Sequence, residues 1–532
     1  MVKDIPPSVV LFLIALPLSM GIAVASGMPA MLGVITAVVG GIVVGFLGGA
    51  PLLVAGPSAG LSVLLLEMVD KYRTADDPFG ITSIAVIVML AGLLQASAGF
   101  LKLGTYFRAV SPAVIRGMLA GIGLIIVVKQ FHVMIDDDVQ GSVLYNIYQI
   151  PAGIGKALST GEESYHYIAA SIGVATLLTI VLWDRFRPRR LHYVPGALAG
   201  VLVASVPAAL LNLPIDYVVV NGSLSSYVSL PAPGSLEKLA DTDILVSALA
   251  LAFIASAETL LCATAVSRMR QSGRTDYDRE LAAQGIGNMI CGGLGTLPVT
   301  GVISRSTANV EAGAQTKWSS ILHAVWILLF VVLAPGLLGL VPASALAAIL
   351  IYVGLRLLKV STPRKMLEYG WPEFLIYLST LIGIVAIDLL SGIVIGLVLS
   401  TMRLVYSLAH LEIERVDTDG KIELHLRGAA TFLALPLLAG ALEEVPHDSE
   451  LHMHFDELDF IDHACLDFIA SFEVRHKETG GKVVMEWRSL IGRYTRGGIR
   501  AATRRTSVIP PVPGGVRTAH DPQRFETKDV DE

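Results

Sequence analysis

The chain has 532 residues, of which 53% are hydrophobic and 16% charged, and its mean hydropathy is +0.66. Because soluble proteins carry about 25% charged residues, this composition excludes an ordinary soluble protein and predicts that most of the chain lies in lipid. The net charge of −6 comes with no basic domain, so nothing suggests a nucleic-acid partner. The three cysteines, Cys262, Cys291 and Cys465, suggest neither a disulfide framework nor a metal cluster.

Apolar segments long enough to cross a bilayer recur over the first 408 residues. A transmembrane helix needs about 20 apolar residues, or fewer where it stops halfway. The pattern predicts an α-helical membrane domain over 1–408 with seven spans in each half. They are 8–27, 30–49, 57–70, 81–101, 111–130, 166–183 and 194–213, then 242–265, 279–295, 299–312, 317–334, 340–357, 373–389 and 391–408. Because seven is odd, the second half would be inverted relative to the first, as in many transporters.

The charges between these spans predict an orientation. Lys and Arg concentrate in the cytoplasmic loops of membrane proteins. Under the predicted span count the basic loops lie on one side, whereas the loops 131–165 and 214–240 carry one Lys each. Both termini are therefore predicted to be cytoplasmic. The first apolar run lacks a small-residue cleavage site and is predicted to be a retained span.

Two segments about half a chain apart, 51–60 and 295–306, contain Gly and Pro where a membrane helix should be continuous. Such breaks free backbone N–H groups, which survive at membrane depth only where they are buried in protein or line a cavity. Broken segments in corresponding halves point to a transporter's binding site, and N–H groups at helix N-termini favour an anion. The predicted anion donors are the N–H groups of Ser58, Ala59, Thr300 and Gly301.

Two charged residues accompany these breaks. Arg305 is predicted one turn into the second half-helix, where a guanidinium is costly unless it faces a polar cavity. It would add a full charge to the anion site, the alternative being a purely structural arginine. Glu258 lies in the middle of the span 242–265 and would be protonated, paired with Arg305 or bound to a cation such as Na⁺. Each option couples a cation to transport, and the alternative is a fixed structural ion pair.

Neither the glycine-rich runs nor any other segment of the sequence has the pattern of a nucleotide-binding loop. The glycines of 40–45 and 117–123 are predicted to allow close helix packing, not to bind phosphate. No Walker motif precedes a helix in the sequence, which disfavours an ATP-driven pump. No cofactor is predicted, apart from Na⁺ or H⁺ as a coupling ion.

After residue 409 the composition changes to that of a soluble domain. Residues 411–416 and 421–426 alternate apolar and polar side chains, as half-buried strands do, and 417–420 has the composition of a turn. Further elements are predicted as a helix at 436–444, a strand at 451–455, a helix at 466–476 and a strand at 482–487. The pattern predicts a small cytosolic α/β domain over 411–495 and a disordered tail at 496–532.

The membrane region resembles the SulP sulfate-permease family of anion transporters. Ile14-Ala-Leu-Pro17 is similar to the first-helix motif, and 297–306 followed by Gly313-Ala-Gln-Thr316 is similar to the tenth-helix signature. Residues 411–495 resemble a STAS domain, on the marker Phe455-Asp-Glu-Leu-Asp-Phe-Ile-Asp462-His463-Ala464. The resemblance implies a core domain of spans 1–4 and 8–11, a gate domain of spans 5–7 and 12–14, elevator-like alternating access, and a homodimer with STAS contacts.

The resemblance also implies site residues. It implies anion contacts from Ser58 and Ala59 on the third helix and from Thr300, Gly301, Val302 and Arg305 on the tenth. Glu258 matches the acidic position at which carriers of this family use a proton or Na⁺. The predicted cation-coupling set is Glu258, Thr259, Cys262 and Ser304.

Two positions depart from the usual family pattern, and one of them lies in a motif that bears on the substrate. Leu18 stands where a Gln is common, so one substrate contact is absent. His463 stands where many STAS domains have Ser, which disfavours phosphorylation there. The sequence Ile461-Asp-His-Ala-Cys465 resembles members associated with carbonic anhydrase, which suggests that partner and favours bicarbonate.

Together these features predict a secondary active transporter of a small inorganic anion, bicarbonate or sulfate, coupled to Na⁺ or H⁺. It would span the lipid of a bacterial inner membrane. The alternatives are an anion channel or exchanger without cation coupling, a dicarboxylate carrier, and a nucleobase permease. Glu258 disfavours a channel, while Arg305 and the STAS-like region disfavour a nucleobase permease.

Overall fold

The structure, a computed structural model of the full chain, describes residues 2–485 apart from short gaps. The gaps are 106–110, 138, 140–141, 159–164, 187, 189–193, 221–223, 231–240, 270–274, 359–361, 419–420 and 456. The predicted tail at 496–532, the last part of the predicted cytosolic domain at 486–495 and several basic loop residues lie outside the described residues.

The chain divides into two compact units, the first ending at Ser400 and the second beginning at Thr401. The first unit is helical, with two very short strands, β1 (Ala55–Gly56) and β2 (Thr300–Gly301). A π-helical turn at Gly40–Val44 joins its second and third helices. The helices are α1 (Ile5–Ala25), α2 (Ala30–Val39), α3 (Gly45–Leu47), α4 (Ala59–Tyr72), α5 (Ile81–Phe100), α6 (Pro112–Met134), α7 (Val143–Leu158), α8 (His166–Phe186), α9 (Gly196–Leu210), α10 (Thr242–Met269), α11 (Tyr277–Gly293), α12 (Ile303–Glu311), α13 (Trp318–Leu333), α14 (Ala343–Leu358), α15 (Thr362–Glu368), α16 (Trp371–Ala386) and α17 (Leu389–Ala409).

The predicted spans coincide with helices of the structure to within a few residues at their ends. Among the described residues, eight helical stretches have the length and apolar composition needed to cross a membrane. Shorter apolar helices, including α9, α13 and α16, occupy further predicted spans. The structure therefore supports a multi-helix membrane domain, while the count of fourteen crossings and the inverted repeat stay predictions.

The region 131–165, which was predicted to be a loop, contains a helix. Helix α6 continues to Met134, and α7 follows. Of the α7 residues, Asn146 and Gly153 are buried, whereas Tyr148 is 79% exposed. The loop prediction was wrong because hydropathy detects continuous apolar runs. A helix with polar residues on one face, and with Pro151 inside it, does not give that signal.

Glycines allow several helices of the first unit to approach closely. A Cβ added at Gly117 would lie 2.6 Å from the carbonyl oxygen of Tyr377 on α16. One added at Gly41 would lie 2.5 Å from the Cβ of Ala324 on α13. Non-bonded heavy atoms repel each other at such distances, so a side chain at either position would force the helices apart. The predicted packing role of these glycine runs is confirmed.

The second unit is a five-stranded mixed sheet with two helices. Its elements are β3 (Leu411–Thr418), β4 (Lys421–Ala430), α18 (Leu435–Glu443), β5 (Glu450–His454), β6 (Leu458–Ile461), α19 (His463–Glu478) and β7 (Lys482–Met485). Strands β3 and β4 are antiparallel and β5 lies parallel between β4 and β7, while β6 pairs in parallel with the end of β4. The predicted strands and helices lie at these positions, but β6 was not predicted.

The close pairing of α5 with α11 gives a stability prediction. A Cβ at Gly285 would lie 2.2 Å from the backbone nitrogen of Ala96, whereas one at Gly293, on the same helix, meets nothing within 4 Å. We expect Gly285→Ala to destabilise the protein by about 1–3 kcal/mol, the usual cost of overpacking. Thermal unfolding of the purified protein in detergent measures this cost. Gly293→Ala is the matched control, and equal melting temperatures for the two variants would contradict the prediction.

Candidate functional site

The two predicted breaks meet in the structure. Strands β1 and β2 pair antiparallel, with Ala55 opposite Gly301 and Gly56 opposite Thr300. The Val302 N–H donates to the Val54 carbonyl at 2.9 Å. Helix α4 begins just beyond one end of this pair and α12 just beyond the other, because the strands run in opposite directions. Both half-helices thus start from one shared strand pair, and the N–H groups of each first turn point back toward that pair.

Ser58 and Glu258 meet at the N-terminus of α4. Ser58 is the N-cap residue, and its Oγ accepts a hydrogen bond from Gly60 N–H at 3.0 Å. The Ser58 hydroxyl also donates to Glu258 Oε1. A Cβ at Gly60 would lie 2.8 Å from that same oxygen, so the carboxylate rests against the helix start only because residue 60 is glycine.

Glu258 is partly exposed although it lies in the middle of α10. Its other carboxylate oxygen, Oε2, is buried and has no partner that meets hydrogen-bond geometry, although the Thr300 hydroxyl interacts with the carboxylate. Glu258 and Arg305 form no ion pair within 4.0 Å in the described structure. Of the arrangements considered for Glu258, direct pairing with Arg305 is therefore not the one observed, and a carboxylate oxygen stays available for a proton or a cation.

Arg305, in the first turn of α12, is completely buried and is among the largest fully buried side chains of the described residues. Its Nη2 donates to Ser19 Oγ on α1 at 3.1 Å, while Nε and Nη1 have no hydrogen-bond partner. Nη1 lies against the backbone of β1, because a Cβ at Gly56 would be 2.4 Å from it. A buried guanidinium with two unsatisfied nitrogens is costly unless an anion joins it.

The predicted site residues come together around the paired strands. Thr259 Oγ1 accepts a hydrogen bond from Gly301 N–H at 2.9 Å, which links α10 to β2. The Gly301 and Val302 amides are therefore bonded within the protein, to Thr259 and to Val54. The first turns of α4 and α12 and the Arg305 side chain keep donors for a ligand. Of the other predicted residues, Ala59, Cys262 and Thr300 are buried and Ser304 is partly buried.

A polar clamp that the sequence analysis missed holds the segment before β2. Asn288 Oδ1 accepts from Val299 N–H at 2.6 Å, and Asn288 Nδ2 donates to the Val299 carbonyl at 3.1 Å. Gln284 donates to the same carbonyl at 2.9 Å, and Gln95 Oε1 accepts from Asn288 at 2.7 Å. The signal was present as amide side chains in apolar spans, which are costly in a membrane unless they bond to something.

The profile of the Sulfate permease family matches residues 1–380. This chain belongs to the sulfate permease family. The family is that of permeases, so the protein is a transporter and not an enzyme, and the predicted resemblance is confirmed. The family match includes both breaks, Glu258 and Arg305.

Two relatives illustrate the range of the family. The chain is 28% identical to YvdB of Bacillus subtilis (strain 168), to which sulfate transport is attributed, over 405 residues. That alignment covers 75% of this chain and 72% of YvdB. The chain is also 24% identical to the bicarbonate transporter BicA of Picosynechococcus sp. over 426 residues. That alignment covers 79% of this chain and 72% of BicA.

Solved structures share the fold. The transmembrane domain of a cyanobacterial bicarbonate transporter BicA matches with a TM-score of 0.62 at 24% identity, over 73% of this chain and 96% of that domain. The murine Slc26a9 anion transporter in its inward-facing state matches with a TM-score of 0.75 at 15% identity, over 94% of this chain and 88% of that one. At these identities the likeness concerns the fold alone.

Two threonines of α10 provide a test of the strand support. We expect Thr259→Val to cost about 1–3 kcal/mol, because it leaves the buried Gly301 N–H without its acceptor. Thr264→Val is the control, since Thr264 Oγ1 donates only to the Leu260 carbonyl of its own helix at 2.8 Å. Thermal unfolding of both variants measures the difference. A Thr264 variant that melts at or below the temperature of the Thr259 variant would contradict the assignment.

Proposed function

We propose that the protein is a secondary active transporter of a small inorganic anion, bicarbonate or sulfate, coupled to Na⁺ or H⁺. The observation that carries this proposal is Arg305, a fully buried arginine with two unpartnered nitrogens at the start of a half-helix. The relatives named for sulfate and bicarbonate transport support the substrate class. Sulfate and bicarbonate are oxyanions, and each presents several acceptor oxygens to such donors.

The anion would bind between the first turns of α4 and α12. Each helix N-terminus carries roughly half a positive charge, and Arg305 adds a full one. Because the Gly301 and Val302 amides already bond to Thr259 and Val54, the donors are the first-turn amides and the free Arg305 nitrogens. Backbone donors of this kind select by size and charge, which fits a family with more than one oxyanion substrate.

Glu258 would carry the coupling cation. Its buried Oε2 has no partner, and its Oε1 already accepts from Ser58 at the N-terminus of α4. A proton or Na⁺ on this carboxylate would neutralise a negative charge next to the anion and favour joint occupancy. Thr259 and Ser304 offer oxygen ligands of the kind that hard cations prefer. Cys262 lies about one turn beyond Glu258 on α10.

The fold shared with the solved structures supports a proposal for the wider architecture. We propose fourteen spans in two inverted sets of seven, with a core of spans 1–4 and 8–11 that moves against a gate of spans 5–7 and 12–14. The protein would be a homodimer in a bacterial inner membrane with both termini cytoplasmic. Residues 411–495 would form a regulatory STAS domain, and carbonic anhydrase is a candidate partner if bicarbonate is the substrate.

Replacing Arg305 tests the anion site. We expect Arg305→Met, which retains most of the side-chain volume, to weaken anion binding about 10- to 100-fold through loss of a charged donor. Radiolabelled sulfate and bicarbonate uptake into liposomes, measured against concentration, gives the affinity. Arg185→Met is the control, because Arg185 is exposed at the end of α8. Unchanged affinity in Arg305→Met would restrict Arg305 to a structural role.

Replacing Glu258 tests cation coupling. We expect Glu258→Gln to retain an acceptor for Ser58 but to abolish uptake driven by a Na⁺ or pH gradient, with exchange of internal for external anion retained. The two gradients are imposed separately on the same liposomes, and Glu311→Gln at the exposed end of α12 is the control. Normal gradient-driven accumulation by Glu258→Gln would refute the coupling role. Conductance that does not saturate in the unsubstituted protein would favour the channel alternative.

A further inference from the structure

One face of the sheet in the second unit carries histidine and glutamate side chains that have no part in the proposed anion and cation sites. On β4, Glu423 and His425 alternate with buried residues, so both side chains lie on the face opposite the core. On β5, His454 lies on the same face, because the alternate residues Leu451 and Met453 are buried. Two adjacent strands thus present these three metal-ligating side chains, among others, to one side of the sheet.

The strand register brings these three side chains together. Strands β4 and β5 are parallel, with His425 directly opposite His454. The two imidazole rings are stacked, with centroids 4.5 Å apart and planes 10° apart. Glu423 Oε2 lies 3.6 Å from His425 Nε2. One ligand atom from each of the three residues lies within 4.8 Å of the others.

These ligand types and distances fit a divalent transition metal. Zn²⁺ binds imidazole nitrogen and carboxylate oxygen at about 2.0–2.2 Å, so the ligand atoms of a tetrahedral site are roughly 3.3 Å apart. The side chains of His425 and Glu423 are 37% and 38% exposed and have room to rotate by the remaining distance. The backbone need not move, since the ladder between β4 and β5 already fixes the spacing of the three residues.

Among the described residues, the neighbouring charged groups on this face bond to one another and not to the three side chains of the cluster. His452, which lies opposite Glu423, instead contacts Glu450 at 3.1 Å, and Glu450 also bonds to Lys482 at 2.9 Å. A stacked histidine pair by itself would stabilise the sheet as a cross-strand pair and would need no carboxylate. Two imidazoles beside a carboxylate form a ligand set.

We propose that Glu423, His425 and His454 form a binding site for a divalent transition-metal ion, with Zn²⁺ as the best-fitting ion. Three protein ligands leave the fourth tetrahedral position to water or to a group from a partner. A bound ion links β4 to β5 and stabilises the second unit by mass action.

The test uses the full-length protein in detergent, freed of any purification tag, with Zn²⁺ and Co²⁺ as probes. Calorimetric titration is expected to show one Zn²⁺ site in the unsubstituted protein. The double variant His425→Gln plus His454→Gln should bind Zn²⁺ at least about 100-fold more weakly. Loss of a residue that only bonds to a metal ligand already costs up to about 100-fold, and here two ligands are lost. Co²⁺ is expected to give the visible absorption of tetrahedral coordination. His447→Gln, an exposed histidine outside the cluster, should bind Zn²⁺ like the unsubstituted protein.

Two results would overturn the proposal. Equal Zn²⁺ affinity in the double variant and the unsubstituted protein would assign the binding to other residues. Failure of the unsubstituted protein to bind Zn²⁺ or to give tetrahedral Co²⁺ absorption would overturn it without reference to any variant. Thermal unfolding in the presence of a chelator checks that the variants fold. Because the substituted side chains are partly exposed, the variants should have melting temperatures within a few degrees of that of the unsubstituted protein.

Discussion

Backbone groups that leave a helix inside a membrane must find partners in the protein, and the first unit is organised around this requirement. The breaks before α4 and α12 satisfy it by pairing with each other as β1 and β2. Side chains supply further hydrogen-bond partners for this backbone. Thr259 accepts from the Gly301 N–H, and Asn288 bonds to both backbone groups of Val299. The proposed anion-binding region is therefore the place where the backbone groups freed by two interrupted helices bond to each other.

This arrangement separates structural donors from ligand donors. The Gly301 and Val302 amides of the strand pair bond within the protein, whereas two nitrogens of Arg305 have no hydrogen-bond partner. Glu258 is attached to the same point through Ser58, yet it forms no ion pair with Arg305 in the described structure. A positive and a negative group held near one strand pair, without neutralising each other, suit the joint binding of an anion and a cation.

The second unit follows a different logic because its environment differs. Alternating residues of β4 and β5 put Leu424 and Met453 into a core and leave the opposite face polar. That polar face carries Glu423, His425 and His454 in one patch. A period-two pattern thus creates both the buried core of the sheet and the polar surface that carries the proposed metal site.

The sequence by itself determined the helical membrane class, the positions of the spans, the two breaks, and Arg305 and Glu258 as the charged residues beside them. Hydropathy and Gly–Pro composition are local signals, so a linear reading recovers them. Helix α7 and strand β6 lacked such a signal and were missed. Only the tertiary structure decided that the breaks pair as strands, that Asn288 and Thr259 hold them, and that Glu258 contacts Ser58 and does not pair with Arg305. These facts depend on contacts between residues about 40 to 250 positions apart, or 11 positions apart for Asn288 and Val299, and no local pattern encodes them.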